Sequence, residues 1–302
     1  MAKISNKSQQ MPASAIRKLV PFADAAKEEG VKVYHLNVGQ PDIKSPECAL
    51  EAVRKNTLDH VSYSNSAGLI ELRRGLVEKY YRKIGIDIDV RELIVTVAGS
   101  EGVNLALQIT CDEGDEVIVL EPFYTNYNTF AFMNGITMKA VHTDIREGFK
   151  VPDVAEFEKL ITPRTKAILI SNPGNPTGTL YSKENMLALG EVARKHDLFL
   201  ISDEVYREFC YTDEPHFSAM NIPGLEDNVI LIDSVSKRYN LCGCRIGCII
   251  SHNEEVMKAA MKYAQARLCP PIYGQLAALG ALDTPDEYFD AVKEEYIRRR
   301  DY

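Results

Sequence analysis

Apolar runs and amphipathic stretches alternate along most of the chain. Seven runs rich in β-branched residues predict strands at Leu93–Val97, Glu116–Leu120, Thr137–Val141, Lys166–Ile170, Leu198–Ser202, Val229–Asp233 and Ile246–Ser251. Helical spacing of apolar residues predicts helices at Glu101–Cys111, Tyr124–Met133, Lys183–His196 and Asn253–Arg267. Several strands are apolar almost throughout, which is typical of a parallel sheet covered on both faces. The pattern predicts a doubly wound α/β domain with ligands at the carboxyl ends of its strands.

The two ends of the chain differ from this regular middle. We expect residues 1–44 to form an N-terminal arm with a short helix near Ala13–Phe22, and residues 45–284 to form the large α/β domain. Residues 285–302 have helical spacing of apolar side chains, which are Tyr288, Phe289, Val292 and Tyr296. No stop signal follows, which indicates the start of a small C-terminal domain that is largely missing, with its apolar face left exposed. A frayed terminal helix is the alternative.

Composition excludes several classes of protein. The 302 residues are 45% hydrophobic and 26% charged, which is ordinary for a globular protein. The net charge of −8 argues against a nucleic-acid partner. No apolar stretch is long enough to span a membrane, and the N-terminus does not resemble a signal peptide. Seven scattered cysteines fit a reducing compartment, so we predict a cytoplasmic protein without membrane contact.

Polar motifs follow three of the predicted strands. Ala98-Gly99-Ser100-Glu101-Gly102 precedes a helix and favours anion binding, although a plain turn with Ser100 as the helix N-cap is the alternative. The prolines and glycines of residues 172–178 predict an irregular loop that aims Asn175 inward. In Ser202-Asp203-Glu204-Val205-Tyr206, a carboxylate and a phenol stand at the ligand edge, with an Asp203 cap as the alternative.

A fourth motif, Ser234-Val235-Ser236-Lys237, follows the strand Val229–Asp233. An amine at the end of an apolar strand favours a lowered pKa and Schiff-base chemistry, and Arg245 further on favours phosphate binding. A solvated surface lysine is the usual alternative, but four polar motifs at one sheet edge argue against it. Neither a nicotinamide-nucleotide fingerprint nor a P-loop occurs.

The residues Cys242, Cys244, Cys248 and His252 are spaced loosely like metal ligands. They lack a C-x-x-C pair and a second half-site, so we expect no metal.

In combination, these motifs resemble the class I and II aminotransferases of fold type I, which use pyridoxal 5'-phosphate, and most closely the aspartate aminotransferase group. The similarity extends from Asn37–Asp42, through Tyr63 and Gly68-x3-Leu72-Arg73, to Tyr296–Asp301. Its most specific part is Asn-Pro-x-Asn-Pro-Thr-Gly followed by Ser-x-Ser-Lys and Gly-x-Arg-x-Gly. The resemblance implies a mostly parallel seven-stranded sheet flanked by helices.

The resemblance also implies roles for individual residues. Lys237 would hold the cofactor covalently and move the substrate proton, and Asp203 would pair with the pyridine nitrogen. Asn175 and Tyr206 would bind the ring hydroxyl. The remaining cofactor contacts would be Tyr124, stacked on the ring, and the phosphate ligands Ala98, Gly99, Ser100, Ser234, Ser236 and Arg245. Gly39 and Asn175 would contact the substrate, and Tyr63 would reach the phosphate of the other subunit in a homodimer with composite sites.

Two departures from the family limit this interpretation. The family's arginine for the substrate α-carboxylate is expected beyond Tyr302, and the chain has no tryptophan. We expect an aminotransferase that moves an amino group between an aspartate-like L-amino acid and a 2-oxo acid such as 2-oxoglutarate, impaired by truncation. The alternatives are a β-lyase on the same fold and an inactive cofactor-binding fragment.

Overall fold

A computed structural model describes residues 2–14, 16–37 and 39–302. The strands are β1 (Leu93–Thr96), β2 (Glu116–Glu121), β3 (Thr137–His142), β4 (Thr165–Ser171), β5 (Phe199–Asp203), β6 (Val229–Ser234) and β7 (Gly247–Ile250). The helices are α1 (Asn6–Gln10), α2 (Val20–Glu28), α3 (Glu47–Lys55), α4 (Ile70–Gly75), α5 (Ala98–Thr110), α6 (Asn126–Asn134), α7 (Val154–Glu158), α8 (Lys183–Lys195), α9 (Val235–Arg238), α10 (Glu254–Arg267), α11 (Ile272–Ala281) and α12 (Asp286–Asp301). Within these described ranges, no helix is both long and apolar enough to cross a membrane.

The seven strands form one sheet in the order β1-β7-β6-β5-β4-β2-β3. Strands β2 to β6 run parallel to one another, and β7 runs antiparallel to both β1 and β6. Since β1 and β6 are both antiparallel to β7, they point the same way. The carboxyl ends of β1, β2, β4, β5 and β6 therefore lie at one edge, where ligands bind in such folds.

Both faces of the sheet are buried, because successive strand residues enter different apolar clusters. In β6, Val229 and Leu231 pack with residues of α4, α8 and α11. Ile230 and Ile232 pack on the other face, with residues of α5, α6 and α10. The alternation follows from the strand period of two, and burial on both faces explains the continuous apolar runs.

The predicted strands and helices agree with the structure to different degrees. All seven strands are confirmed within about one residue of each end, and the mostly parallel sheet is confirmed, with β7 as its antiparallel member. The helix predicted from Glu101 begins earlier, at Ala98. The helix predicted at Ala13–Phe22 lies later, since a short 3₁₀ turn at Arg17–Leu19 leads into α2; Ala15 falls outside the described residues. The sequence patterns missed the shorter helices α1, α3, α4, α7, α9 and α11.

The predicted C-terminal helix is confirmed as α12, but its expected exposure is wrong. Val292 is buried, and Phe289 packs against the core beside the Tyr239 ring. The ring of Tyr296 packs edge-on against Phe209, at 5.6 Å between centroids. The apolar face of α12 thus packs on the large domain, and burial of its aromatic side chains there stabilises the position of the helix.

Candidate active site

Four polar segments meet at the carboxyl edge of the sheet, as predicted. They follow β1, β4, β5 and β6, whose carboxyl ends share that edge. Two of them are joined by hydrogen bonds: the Asn172 backbone N–H donates to the Asp203 carbonyl at 2.9 Å, and the Asn175 side-chain amide donates to the Tyr206 hydroxyl at 3.3 Å. The Lys237 ammonium, after β6, lies 5.7 Å from the centre of the Tyr206 ring. The convergence comes from strand direction, which brings together segments distant in sequence.

Lys237 lies in α9, a single helical turn that directly follows β6. The Ser234 hydroxyl begins this turn by accepting the Ser236 backbone N–H at 3.1 Å. The Lys237 amine donates to the Gly39 carbonyl at 2.6 Å, which brings the N-terminal arm over the site. Burial lowers the pKa of Lys237, and the positive charge of Arg245 lowers it further. Lys237 is half-buried, so it is not the solvated surface lysine of the alternative interpretation.

Asp203 ends β5 and is buried, with only 7% of its surface exposed. Its carboxylate accepts the Tyr127 hydroxyl at 2.7 Å and, more weakly, the Val205 backbone N–H at 3.4 Å. Within the described parts of the chain, no lysine, arginine or histidine forms an ion pair with it. Burial therefore raises its pKa to about 6, against the opposing hydrogen bonds. Among the described residues, this buried carboxylate has no counter-charge.

Two tyrosines lie beside Asp203: Tyr124, just before α6, and Tyr127, in the first turn of α6. The rings of Tyr124 and Tyr127 meet edge to face, 5.5 Å apart. Tyr127 is a site residue that the sequence patterns missed, and only its helical spacing of three from Tyr124 could have pointed to it. Burial raises the pKa of Tyr206 to about 12, so this phenol keeps its proton at neutral pH and can donate a hydrogen bond.

The predicted anion turn lies at the N-terminus of α5. Ala98 has a left-handed backbone with φ +62°, and the turn packs so closely on β7 that a Cβ on Gly247 would stand 2.6 Å from the Ala98 carbonyl carbon. Only glycine fits there. The alternative in which Ser100 caps the helix is wrong, because the cap residue is Val97 and its N–H donates to the Glu101 carboxylate. The first backbone N–H groups of α5 have no partner within the helix, as an anion site requires.

The other predicted phosphate ligands differ in accessibility. Ser234 and Ser236 are buried, and the Ser234 hydroxyl donates to the Ile246 carbonyl at 2.9 Å. Arg245 is exposed, has φ +55° and donates to the Cys242 carbonyl at 2.9 Å. Its positive charge contributes to the lowered pKa of Lys237. The same charge opposes the burial that raises the pKa of Tyr124. Tyr63 is 79% exposed.

The loosely spaced cysteines and histidine have other partners. Cys248 is buried in β7 beside the Tyr81 hydroxyl, at 3.2 Å, and His252 pairs with Glu92 at 3.0 Å. These two side chains serve the packing of the sheet.

A buried ionic cluster lies directly behind the site and was missed by sequence analysis. The Arg238 guanidinium, next to Lys237, pairs with Asp233 and with Glu208, at 2.8 Å from the latter. It also stacks 3.6 Å from the centre of the Tyr80 ring. Arg207 and Glu204 form a second buried pair. These charges compensate one another within the protein, which sets them apart from Asp203.

Comparison with known proteins agrees with this geometry. The family model for aminotransferase class I and II matches residues 31–302. An aspartate/prephenate aminotransferase of Thermus thermophilus is 34% identical over 305 residues, covering 100% of this chain and 78% of the relative. The putative aminotransferase YugH of Bacillus subtilis is 35% identical, with 98% and 76% covered.

Solved structures give the same result. An aspartate aminotransferase from Thermus thermophilus with maleate superposes with a TM-score of 0.91 at 36% identity, over 100% of this chain and 79% of that one. An alanine aminotransferase from Pyrococcus furiosus has a TM-score of 0.91 at 34% identity, with 99% and 78% covered. The chain belongs to the class I and II aminotransferases and has their fold.

Proposed function

We propose that this aminotransferase binds pyridoxal 5'-phosphate at the carboxyl edge of its sheet and transfers the amino group of an aspartate-like L-amino acid to a 2-oxo acid such as 2-oxoglutarate. The observation that carries the cofactor assignment is Asp203, a buried carboxylate with a raised pKa and no cation of the described chain beside it. A protonated pyridine nitrogen is a cation of the right size and geometry for such a carboxylate.

The surrounding residues fit the rest of the cofactor. The α5 N-terminus and Arg245 offer N–H donors and a positive charge to the phosphate. Asn175 and Tyr206 lie together as donors for a ring hydroxyl. When bound, pyridoxal phosphate supplies an electron sink that stabilises negative charge at the amino-acid Cα. Ser234 and Ser236 remain proposed phosphate ligands, with their hydroxyls bonded inside the chain.

Within this site, the half-buried Lys237 amine acts as base and acid. Its lowered pKa makes the neutral amine, which can accept a proton from the substrate Cα, available at lower pH than for a solvated lysine. Hydrogen bonding to the Gly39 carbonyl restrains the side chain. Tyr127 and Val205 orient the Asp203 carboxylate, and Asp203 in turn keeps a bound cationic ring in place. Precise orientation of this kind contributes a large share of rate acceleration.

The substrate assignment rests on the relatives, several of which are named aspartate aminotransferases. The test is to load the purified protein with pyridoxal phosphate and record its absorbance while aspartate, glutamate, alanine or phenylalanine is added. A cofactor band that changes fastest with aspartate or glutamate, and new amino acid formed from 2-oxoglutarate, are the expected results. Release of pyruvate and ammonia without amino transfer would contradict transamination in favour of a lyase.

We also propose that two copies of the chain form a dimer with shared sites. The support is the exposure of large apolar side chains on the N-terminal arm and the 58–63 segment, which include Phe22, Leu36 and Tyr63 at 74%, 95% and 79% exposed. Apolar side chains clustered on a surface mark interaction sites. Sedimentation velocity should give a dimer, and Tyr63→Ala should weaken cofactor binding without changing that mass. A monomer at all concentrations would exclude shared sites.

A further inference from the structure

Glu101 places a negative charge inside the turn that the proposed phosphate would occupy. It lies in the first turn of α5, directly after Ala98, Gly99 and Ser100. Its carboxylate accepts the Val97 backbone N–H, so it closes the turn from within the chain. The helix dipole stabilises this carboxylate, but the carboxylate would repel a phosphate bound at the same helix terminus. A site for an anion with an acidic residue in its first turn needs a compensating cation.

Arg267 supplies that cation from a distant part of the chain. It is the last residue of α10, and its guanidinium lies 3.0 Å from the Glu101 carboxylate. The same guanidinium donates to the Ser66 carbonyl at 2.8 Å, so it connects the anion turn to the segment that carries Tyr63. Both side chains of the pair are more than four-fifths buried, at 16% and 18% exposure, so solvent screens their attraction weakly.

The pair has two consequences for the turn. Arg267 neutralises the Glu101 charge, which leaves the positive end of α5 and Arg245 to attract a phosphate. It also holds the carboxylate against the Val97 N–H, next to the left-handed Ala98, and thereby fixes the direction of the free N–H groups that follow.

From this geometry we propose that Arg267 is a positioning residue for the phosphate of the cofactor, acting through Glu101. The proposal rests on the proposed function, since it concerns the same phosphate site. Its distinctive consequence is an asymmetry within the pair. Loss of Arg267 alone leaves the Glu101 carboxylate unpaired, and this carboxylate then repels the phosphate. Loss of both side-chain charges also removes the carboxylate, so the repulsion disappears. If the pair only held the helices together, each substitution would destabilise the protein, and the double variant would not recover cofactor affinity.

The test is a double-mutant cycle on cofactor affinity, with Arg267→Gln, Glu101→Gln and the double variant. Binding of pyridoxal phosphate to the full chain is measured by absorbance titration, beside pyridoxal, which lacks the phosphate. We expect Arg267→Gln to weaken pyridoxal phosphate binding about tenfold, and the double variant to return within about threefold of wild type. Pyridoxal affinity should stay within about twofold throughout, because no phosphate is present to be repelled.

Arg164→Ala is the matched control, because it also breaks an arginine–carboxylate pair between distant segments, with Glu116 at 2.9 Å, and lies at the opposite edge of the sheet. It should leave cofactor affinity unchanged. Should Arg267→Gln fail to fold, Glu101→Gln alone decides, since it must bind pyridoxal phosphate at least as tightly as wild type.

Three outcomes would overturn the proposal. They are equal affinity in Arg267→Gln and wild type, a double variant no better than Arg267→Gln, and equal losses for pyridoxal and pyridoxal phosphate. A wild-type chain that binds no pyridoxal phosphate would overturn the proposed function as well, so the two failures are distinguishable.

Discussion

Two aspartates on neighbouring strands, Asp203 in β5 and Asp233 in β6, are both buried but have opposite surroundings. Asp233 accepts hydrogen bonds from Tyr81 at 2.7 Å and from its own neighbour Ser234 N–H at 2.7 Å, and it pairs with Arg238. Burial on its own would raise the pKa of Asp233, but the charges of Arg238 and Arg207 bring that pKa below its usual value. Asp203 has a tyrosine and a backbone N–H in place of cations, and its pKa rises to about 6.

The difference is between a carboxylate neutralised inside the fold and one that the proposed function reserves for a ligand. Burying a charge without a counter-charge costs stability, and a fold tolerates the cost where function requires it. Asp233 and Arg238 satisfy each other and fix the chain around α9. In the proposed function, the charge of Asp203 is neutralised by a cationic group that binds from outside. Lys237 and Arg238 repeat the contrast in adjacent residues: the lysine amine faces the site, and the arginine is fully enclosed behind it.

The largest effect is expected from Lys237→Ala, which removes the site-facing residue of the neighbours Lys237 and Arg238. Amino transfer should fall by up to about 10⁴-fold, because the proton-transferring amine is gone. Lys237→Arg should fail too, since a guanidinium cannot give up its proton near neutral pH. Borohydride reduction of the loaded wild type, followed by peptide mass mapping, should label Lys237. Label on Lys166 or Lys262 would show that the assignment is wrong.

Asp203→Asn should come next, with a loss of about 10²–10³-fold in the rate of amino transfer. An amide keeps the hydrogen bond from Tyr127 but offers no charge to a cationic ring. Steady-state rates with aspartate and 2-oxoglutarate measure the loss. Conservative replacement of the buried Asp233 by Asn serves as the comparison, and a larger rate loss per folded molecule there would reverse the assigned roles.

Asp233→Asn should instead reduce the free energy of unfolding, by about 3–5 kcal/mol. The substitution leaves Arg238 buried with only Glu208 as a charged partner. Urea unfolding of the cofactor-free chain measures the change. Asp283→Asn, which breaks the exposed pair with Lys79, should change stability little. Equal losses in the two variants would mean that the buried pair does not hold α9 in place.

The smallest effect is a pH-dependent gain in stability for cofactor-free Asp203→Asn. The folded-state pKa of Asp203, about 6, lies above its ordinary value of 3.8, so protonated Asp203 is favoured in the fold. Its stabilising contribution is complete below about pH 4 and is lost as the pH rises through 6. The variant should therefore match wild type at pH 4 and exceed it by about 2–3 kcal/mol at pH 8. A difference independent of pH would contradict an unpaired carboxylate.

Sequence patterns predicted the strands, because continuous apolar runs such as Val229–Asp233 are typical of a sheet buried on both faces. They also predicted the convergence of the polar motifs, because these motifs follow strands that run in the same direction. Pro- and Gly-rich loops and the residues that end each strand are also local features. For that reason Asp203, Asn175, Tyr206 and Lys237 could be named before the structure. Helix α11 was missed because it is apolar on nearly every side and so carries weak helical periodicity. Helix α3 does have an amphipathic pattern, which the sequence analysis overlooked.

Local sequence patterns were enough to locate the residues at the site edge, because strand endings and turn chemistry depend on neighbours in the chain. The pairing of charges depends instead on contacts between segments that are distant in the sequence. Arg238 meets Asp233 and Glu208, Tyr127 meets Asp203, and Arg267 meets Glu101 across 166 residues. Side-chain partners of this kind follow from how helices pack on the sheet. The surroundings that give two buried aspartates opposite pKa shifts are therefore not encoded in any local pattern.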